Sequence, residues 1–220
     1  MKSAKKRIKR IIKILRREYP DAKTSLRHRS PFELLVSTML SAQCTDKRVN
    51  EITPGLFKKY KDPGSFSRLK QSILEKEIHS AGFYKSKARN IIAASKKIVK
   101  EFAGRVPDTM SALTSLPGVA RKTANIVLSG SFGKAEGIAV DTHLKRLSQR
   151  IGLSAEKDPV RIEKDLMKIV PRGDWLDFNY LLVSHGRKIC GARKALCAEC
   201  AIRRLCPSAG RFVRPDRAGR

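Results

Sequence analysis

Apolar residues recur along this chain at three- and four-residue steps almost throughout. Ile8, Ile11, Ile12 and Leu15 share one face of a basic N-terminal segment, MKSAKKRIKRIIKILRR. In SPFELLVSTMLSAQ, Ser30 supplies an N-cap, Pro31 the first helical position and Glu33 the far side of a capping box. Phe32, Leu34, Leu35, Val36, Met39 and Leu40 then form a wide apolar face. A helix from Thr45 or Asp46 to Lys61 follows, strained near Pro54-Gly55. Similar patterns run over 66–80 and 86–103, with Gly82 and Gly104 as stop signals. Pro107-Asp108 opens a short helix that ends at Leu116-Pro117-Gly118. The next begins near Arg121 and stops before Gly130 or Gly133, and others fall at 142–151, 159–169 and 174–189. No alternating run is long enough for a sheet, so the expected class is all-α. The tail at 208–220, rich in Arg, Pro and Gly, is expected to be disordered.

Charge adds what periodicity cannot. The 220 residues carry a net charge of +28, enough for one good core or two small domains and strongly suited to a polyanionic partner. Nucleic acid leads; a membrane surface is the competitor. No apolar run approaches the roughly 20 residues of a spanning helix. The N-terminal segment lacks the apolar stretch of a signal peptide, so a reducing compartment without disulfides is expected.

Candidate chemistry gathers in LPGVARKTANIVL and the later VDTH. Two helices joined by a tight LPGVA turn make a helix–hairpin–helix, and such a corner presents several backbone N–H groups to a phosphate. Leu116, Gly118, Ala120 and Arg121 belong to that surface. Lys122 lies just inside the second helix. An ordinary lysine is neutral in only roughly 1 molecule in 2,500 at pH 7, so a nucleophilic role needs help. Partial burial, a helix N-terminus and a neighbouring cation such as Arg121 each favour the neutral amine. Asp141 in VDTH looks like a helix N-cap. A capping carboxylate is held rigidly, and it can still face a reaction site.

Four cysteines crowd near the C-terminus as Cys190-x6-Cys197-x2-Cys200-x5-Cys206. Four thiolates can hold zinc or a 4Fe–4S cluster. Structural zinc sites usually bring two close pairs; only one pair is close here, which favours iron–sulfur. Cys44 stands alone and suits a small buried apolar residue.

Together LPGVARKTANIVL with VDTH, LSAQCTDKRVN, GFYKSKARNI and the four cysteines resemble the endonuclease III family, in the same motif order from about residue 5 to 207. The resemblance implies a helix-hairpin-helix DNA glycosylase fold. A six-helix barrel domain would span 24–134. An iron–sulfur domain would be built from 1–23 and 135–207, and 208–220 would be a basic flexible tail. It implies a bifunctional glycosylase and abasic-site lyase in base excision repair, acting on oxidised pyrimidines in double-stranded DNA, with Lys122 and Asp141 as catalytic groups. Gln43 would fill the gap left by a flipped base, and Phe83 would act as an apolar wedge. Lys85 and Lys87 could hold phosphate. So could Arg193 and Lys194, in a loop scaffolded by a 4Fe–4S cluster on Cys190, Cys197, Cys200 and Cys206. A monomer without membrane contact, in the nucleoid-associated cytoplasm of a prokaryotic cell, completes the expectation.

The chain departs from the family at Ala120, where a second glycine is usual, and at Thr114, where some relatives carry a carboxylate. If position 120 needs a left-handed backbone, alanine costs about 1 kcal/mol. Two rivals stay open: a related glycosylase for another damaged or mismatched base, and a non-catalytic DNA-binding protein. Adenine mismatch glycosylases lack the lysine, and thymine mismatch relatives carry tyrosine there, so Lys122 argues against both. An RNA-binding module would want aromatic platforms, and only 6% of the chain is aromatic.

Overall fold

The structure, a computed structural model, describes residues 2–211. Among these the regular structure is helical, and the one strand-like pairing is an isolated bridge of Cys190 with Ala195. The protein is therefore all-α, as the periodicity predicts. None of the described helices is long and apolar enough to cross a membrane. In chain order the α-helices are α1 (Lys2–Glu18), α2 (Pro31–Leu40), α3 (Asp46–Lys59), α4 (Pro63–Ser67), α5 (Gln71–Glu77), α6 (Tyr84–Glu101), α7 (Met110–Thr114), α8 (Arg121–Phe132), α9 (Thr142–Arg150), α10 (Pro159–Ile169) and α11 (Trp175–Lys188).

Two compact units divide the chain. One is Thr24–Glu136; the other joins the segment before Thr24 to that from Gly137 onward. In the first unit α2 is buried almost all round, from Phe32 through Leu40 except Glu33, so it runs through the middle of the core. Its buried Thr38 returns its hydroxyl to the Leu34 carbonyl at 2.7 Å. Helix α8 packs on α2 and α7, while α6 packs on α4, α5 and α2. Each fully buried Leu or Ile in this core contributes about 1.5–3 kcal/mol.

In the second unit the apolar face of α1 is the one its spacing predicts. Ile8, Ile11, Ile12 and Leu15 are buried against Leu144, Leu147, Ile162, Leu166, Phe178 and Leu182. Polar bonds fix the same helix. The Arg7 guanidinium donates to the carbonyls of Ile151, Gly152 and Leu205 at 2.7, 2.7 and 3.0 Å.

Several boundaries differ from expectation. The 66–80 helix is two helices and a 3-10 turn (His79–Ala81), because Asp62 and Ser65 form a capping box that starts α4 early. Helix α7 starts at Met110 under a Thr109 cap, not at Pro107. Of the two stops expected for α8, the helix runs through Gly130 and takes Gly133, whose φ of 62° is the left-handed C-cap conformation. Helix α3 runs on past Pro54 as expected, but ends at Lys59, not Lys61. At α2, Ser30 caps Glu33 as predicted, but the Glu33 carboxylate accepts from the Arg29 amide (2.7 Å), one residue before the expected partner. The expected tail begins ordered: Arg211 N–H donates to the Ser208 carbonyl at 3.1 Å. Its remainder, 212–220, lies outside the described residues.

Candidate functional site

The hairpin is built in the Thr24–Glu136 unit. Buried Leu116 and Val119 anchor its two sides, and the Val119 amide donates to the Leu116 carbonyl at 3.1 Å across Pro117-Gly118. Gly118 has φ +76°, and a Cβ there would sit 2.8 Å from Cβ of Asn90. Glycine is required on both counts. Ala120 settles the alternative the sequence leaves open: its backbone is extended at φ −87°, ψ 168°, so alanine carries no strain. Ala120 also occupies the N-cap position of α8 and has no side-chain oxygen, so its own side chain does not cap that helix end. The first amides of a helix have no partner within it, and an anion can take that place.

Arg121 and Lys122 form the first turn of α8, and both are exposed. Lys122 therefore stands where the sequence puts it, in the first turn of the helix beside Arg121. Thr114 bonds its hydroxyl back to the Met110 carbonyl (2.8 Å) and the Ser111 carbonyl (3.2 Å), a self-contained arrangement.

The same unit brings Gln43, Phe83 and Gly118 to one cavity of about 240 Å³, with Met39, Lys87 and Asn90 also in its wall. Gln43 lies past the end of α2 in a turn, with φ 53°. Phe83 has φ 46° and is 65% exposed, so it is no core aromatic. Both non-glycine residues hold left-handed backbone, a conformation that persists only where surrounding structure imposes it. Lys85 is exposed nearby on α6. Lys87 is not available for phosphate, contrary to expectation. It is 6% exposed, and its Nζ donates at 2.8 Å to the carbonyls of Leu40 and Ala81. Burial holds its amine below the ordinary lysine value. A larger open depression of this unit, bordered by Phe32, Phe102, Val106 and Phe132, contains none of the predicted site residues.

In the other unit Asp141 caps α9. Its Oδ1 accepts from the Leu144 amide at 2.7 Å, which fixes the carboxylate. The four cysteines all border one small apolar cavity, together with Arg150, Ile151, His185 and Ile202. Among the described residues no group of three or more His, Cys, Asp or Glu is arranged to hold a metal ion. The thiols are free. Burial pushes Cys200 up to about 11, against the opposing pull of the Ile202 backbone hydrogen bond, and raises Cys206 as well. His185, buried beside Cys200 with Nε2 3.5 Å from its sulfur, is pushed down to about 4 by burial.

Arg150 escapes a motif search. Its guanidinium donates to the carbonyls of Gly191 (2.7 Å) and Ala192 (2.9 Å) and contacts Cys190 Sγ at 3.4 Å. It thereby holds the loop on which Arg193 and Lys194 stand exposed. Gly191 belongs to the same device: a Cβ would lie 2.5 Å from the Lys194 carbonyl oxygen. Its partners are backbone carbonyls, so only a helical period on α9 could have hinted at it.

A family model described as HhH-GPD superfamily base excision DNA repair protein matches residues 36–172. Endonuclease III of Synechocystis sp. is 53% identical over 209 residues, covering 95% of each chain. That of Bacillus subtilis is 46% identical over 189 residues, covering 86% of each. A solved structure of a trapped endonuclease III–DNA covalent intermediate, an estranged-adenine complex, aligns with a TM-score of 0.89 at 39% identity, covering 94% of this chain and 97% of that one. The hairpin, its lysine and the four-cysteine loop thus occur in a chain that belongs to the endonuclease III family of the HhH-GPD superfamily of base excision DNA repair proteins.

Proposed function

We propose that this chain is a bifunctional DNA glycosylase and abasic-site lyase of base excision repair, acting on oxidised pyrimidines in duplex DNA. The observation that carries it is the position of Lys122: an exposed amine in the first turn of α8, directly after a glycine hairpin whose N-cap residue, Ala120, has no capping side chain. Phosphate bound at that end brings a sugar toward the amine. The relative trapped covalently on DNA supports the same chemistry.

The damaged base leaves the stack, with Gln43 and Phe83 taking the space it vacates. Neutral Lys122 Nζ forms a bond to C1′, and the bond from C1′ to the base breaks, the base keeping the electron pair. Asp141, the second catalytic group that the resemblance implies, would accept the amine proton and stabilise positive charge on the sugar, and its cap to Leu144 fixes its carboxylate. The nitrogen lone pair then breaks the C1′–O4′ bond, O4′ takes up a proton as a hydroxyl, and the iminium so formed on the opened sugar acidifies the C2′ proton. Its removal expels the 3′ phosphate oxygen by β-elimination, and water later frees the lysine. Lys85, Arg193 and Lys194 hold backbone phosphates.

The cysteine loop fits a 4Fe–4S cluster. Four soft donors face one apolar cavity, and backbone hydrogen bonds from Ile202 and Ser208 reach the sulfurs of Cys200 and Cys206. Structural zinc sites usually bring two close cysteine pairs, and this loop has one, Cys197 with Cys200, which favours the cluster. Cys190, Cys197, Cys200 and Cys206 would hold the cluster. Bound there, it supplies a rigid cross-link under the Arg193 loop.

Borohydride trapping on duplex DNA carrying an abasic site or an oxidised pyrimidine tests the assignment. Wild type should give a covalent adduct with both, and Lys122→Gln with neither while still binding DNA. Strand cleavage that survives Lys122→Gln would overturn the role of Lys122. Tight binding without any adduct in wild type would leave a monofunctional glycosylase or a pure DNA-binding protein.

A further inference from the structure

Lys87 is a buried cation that the mechanism above does not use. One Nζ donates to two carbonyls that end two different segments: Leu40, the last residue of α2, and Ala81, the last of the 3-10 turn. Leu40 stands three residues before Gln43, and Ala81 two before Phe83. Those two turns carry non-glycine residues in left-handed backbone, at φ 53° and 46°. Lys87 also borders the cavity that Gln43 and Phe83 share. The carbonyl end of a helix carries partial negative charge, so a cation at the α2 terminus is well placed. An apolar side chain could fill the volume but could not bond both carbonyls.

We infer that Lys87 is a positioning residue for base extrusion, clamping the Gln43 turn to the Phe83 turn so that both enter the duplex in fixed register. The inference rests on the reading of Gln43 and Phe83 as the residues that occupy the opened stack. Single-stranded DNA containing an abasic site has no partner base and no opposing stack, so its reaction at Lys122 needs neither turn. The clamp therefore acts on duplex substrates selectively. A lysine that merely supports the core would affect both substrates alike.

The experiment compares borohydride trapping rates on duplex and single-stranded abasic DNA, expressed as a ratio, for wild type, Lys87→Met, Lys87→Gln and Lys87→Arg. Lys87→Met should lower the duplex-to-single-strand ratio tenfold or more. Lys87→Gln, which keeps one amide donor group, should fall between, and serves alone if the Met variant does not fold. Lys87→Arg should restore most of the ratio. The fluorescence of 2-aminopurine placed opposite the abasic site should rise on binding wild type, as its stacking is lost, and rise less with Lys87→Met. Equal losses on the two substrates, or an unchanged ratio in Lys87→Met and Lys87→Gln, would overturn the clamp. Gln43→Ala and Phe83→Ala run alongside. If both leave the ratio unchanged, the gap-filling reading itself fails. If they lower it and the Lys87 variants do not, only the clamp fails.

Discussion

The N-cap of α8 is filled by a residue that cannot cap. Ala120 has an unstrained extended backbone and no oxygen to offer, and serine or aspartate would serve the isolated helix better. An N-cap carboxylate accepts from the second or third amide of the helix, the same donors a DNA phosphate would use. Ala120→Asp is therefore expected to stabilise the protein by about 1 kcal/mol, read as a raised midpoint in thermal denaturation, while DNA affinity falls at least tenfold in fluorescence anisotropy. Stability and affinity rising together would mean that phosphate does not bind there. Gly118 poses the converse case. Gly118→Ala combines a left-handed backbone with a contact of 2.8 Å to Asn90, and should cost about 1–3 kcal/mol. Adding Asn90→Ala removes the contacts of 2.9 and 3.0 Å to the Asn90 amide group, but neither the one to its Cβ nor the dihedral, so a double-mutant cycle should recover only part of the loss. Full recovery would show that φ contributes nothing.

At the level of elements, the sequence is most legible where side chains satisfy local backbone. Ser30, Asp141 and Asp158 each cap the helix that follows, and the apolar step on α1 names its buried face. The break between α4 and α5 is harder to see, because Arg68 to Lys70 contain neither glycine nor proline. Lys87 and Arg150 are illegible for one shared reason. Their partners are main-chain carbonyls of distant segments, and a carbonyl has no residue type. Charge alone therefore suggests phosphate for Lys87, although its amine faces inward. Exposure of Phe83 is equally hidden, since its spacing suits a core position as well. The element reading yields its own predictions. Leu15→Ala on α1 removes a side chain buried at 0% exposure and should cost about 2–5 kcal/mol, measured by urea denaturation. Arg150→Lys keeps the charge on α9 but loses the two-pronged grip on Gly191 and Ala192. The visible absorption of the proposed 4Fe–4S cluster should then bleach several-fold faster under chelator. Bleaching at the wild-type rate would mean the grip does not support the cysteine loop.

For the whole molecule the decisive quantity is the net charge of +28. Such a charge attracts any duplex, damaged or not, so affinity alone says little about the site. Salt dependence separates the contributions. Each phosphate neutralised releases counterions, and log Kobs falls against log salt with a slope of about −0.9 per contact. Most of the 48 Lys and Arg side chains cannot touch one DNA segment together; they raise the association rate through the general field. The slope should therefore report a handful of contacts, far fewer than the charge count. Lys85→Gln and Arg193→Gln should each reduce its magnitude by about 1, with equal effects on damaged and undamaged duplex, because both are assigned to phosphate. Gln43→Ala should leave the slope alone and lower affinity for abasic duplex only, because a neutral amide releases no counterion. Anisotropy titrations at several salt concentrations, on matched damaged and undamaged duplexes, measure all three. A slope unchanged by Lys85→Gln or Arg193→Gln would remove that residue from the DNA surface. A slope changed by Gln43→Ala would mean that the Gln43 turn sets how the whole basic surface seats on the duplex.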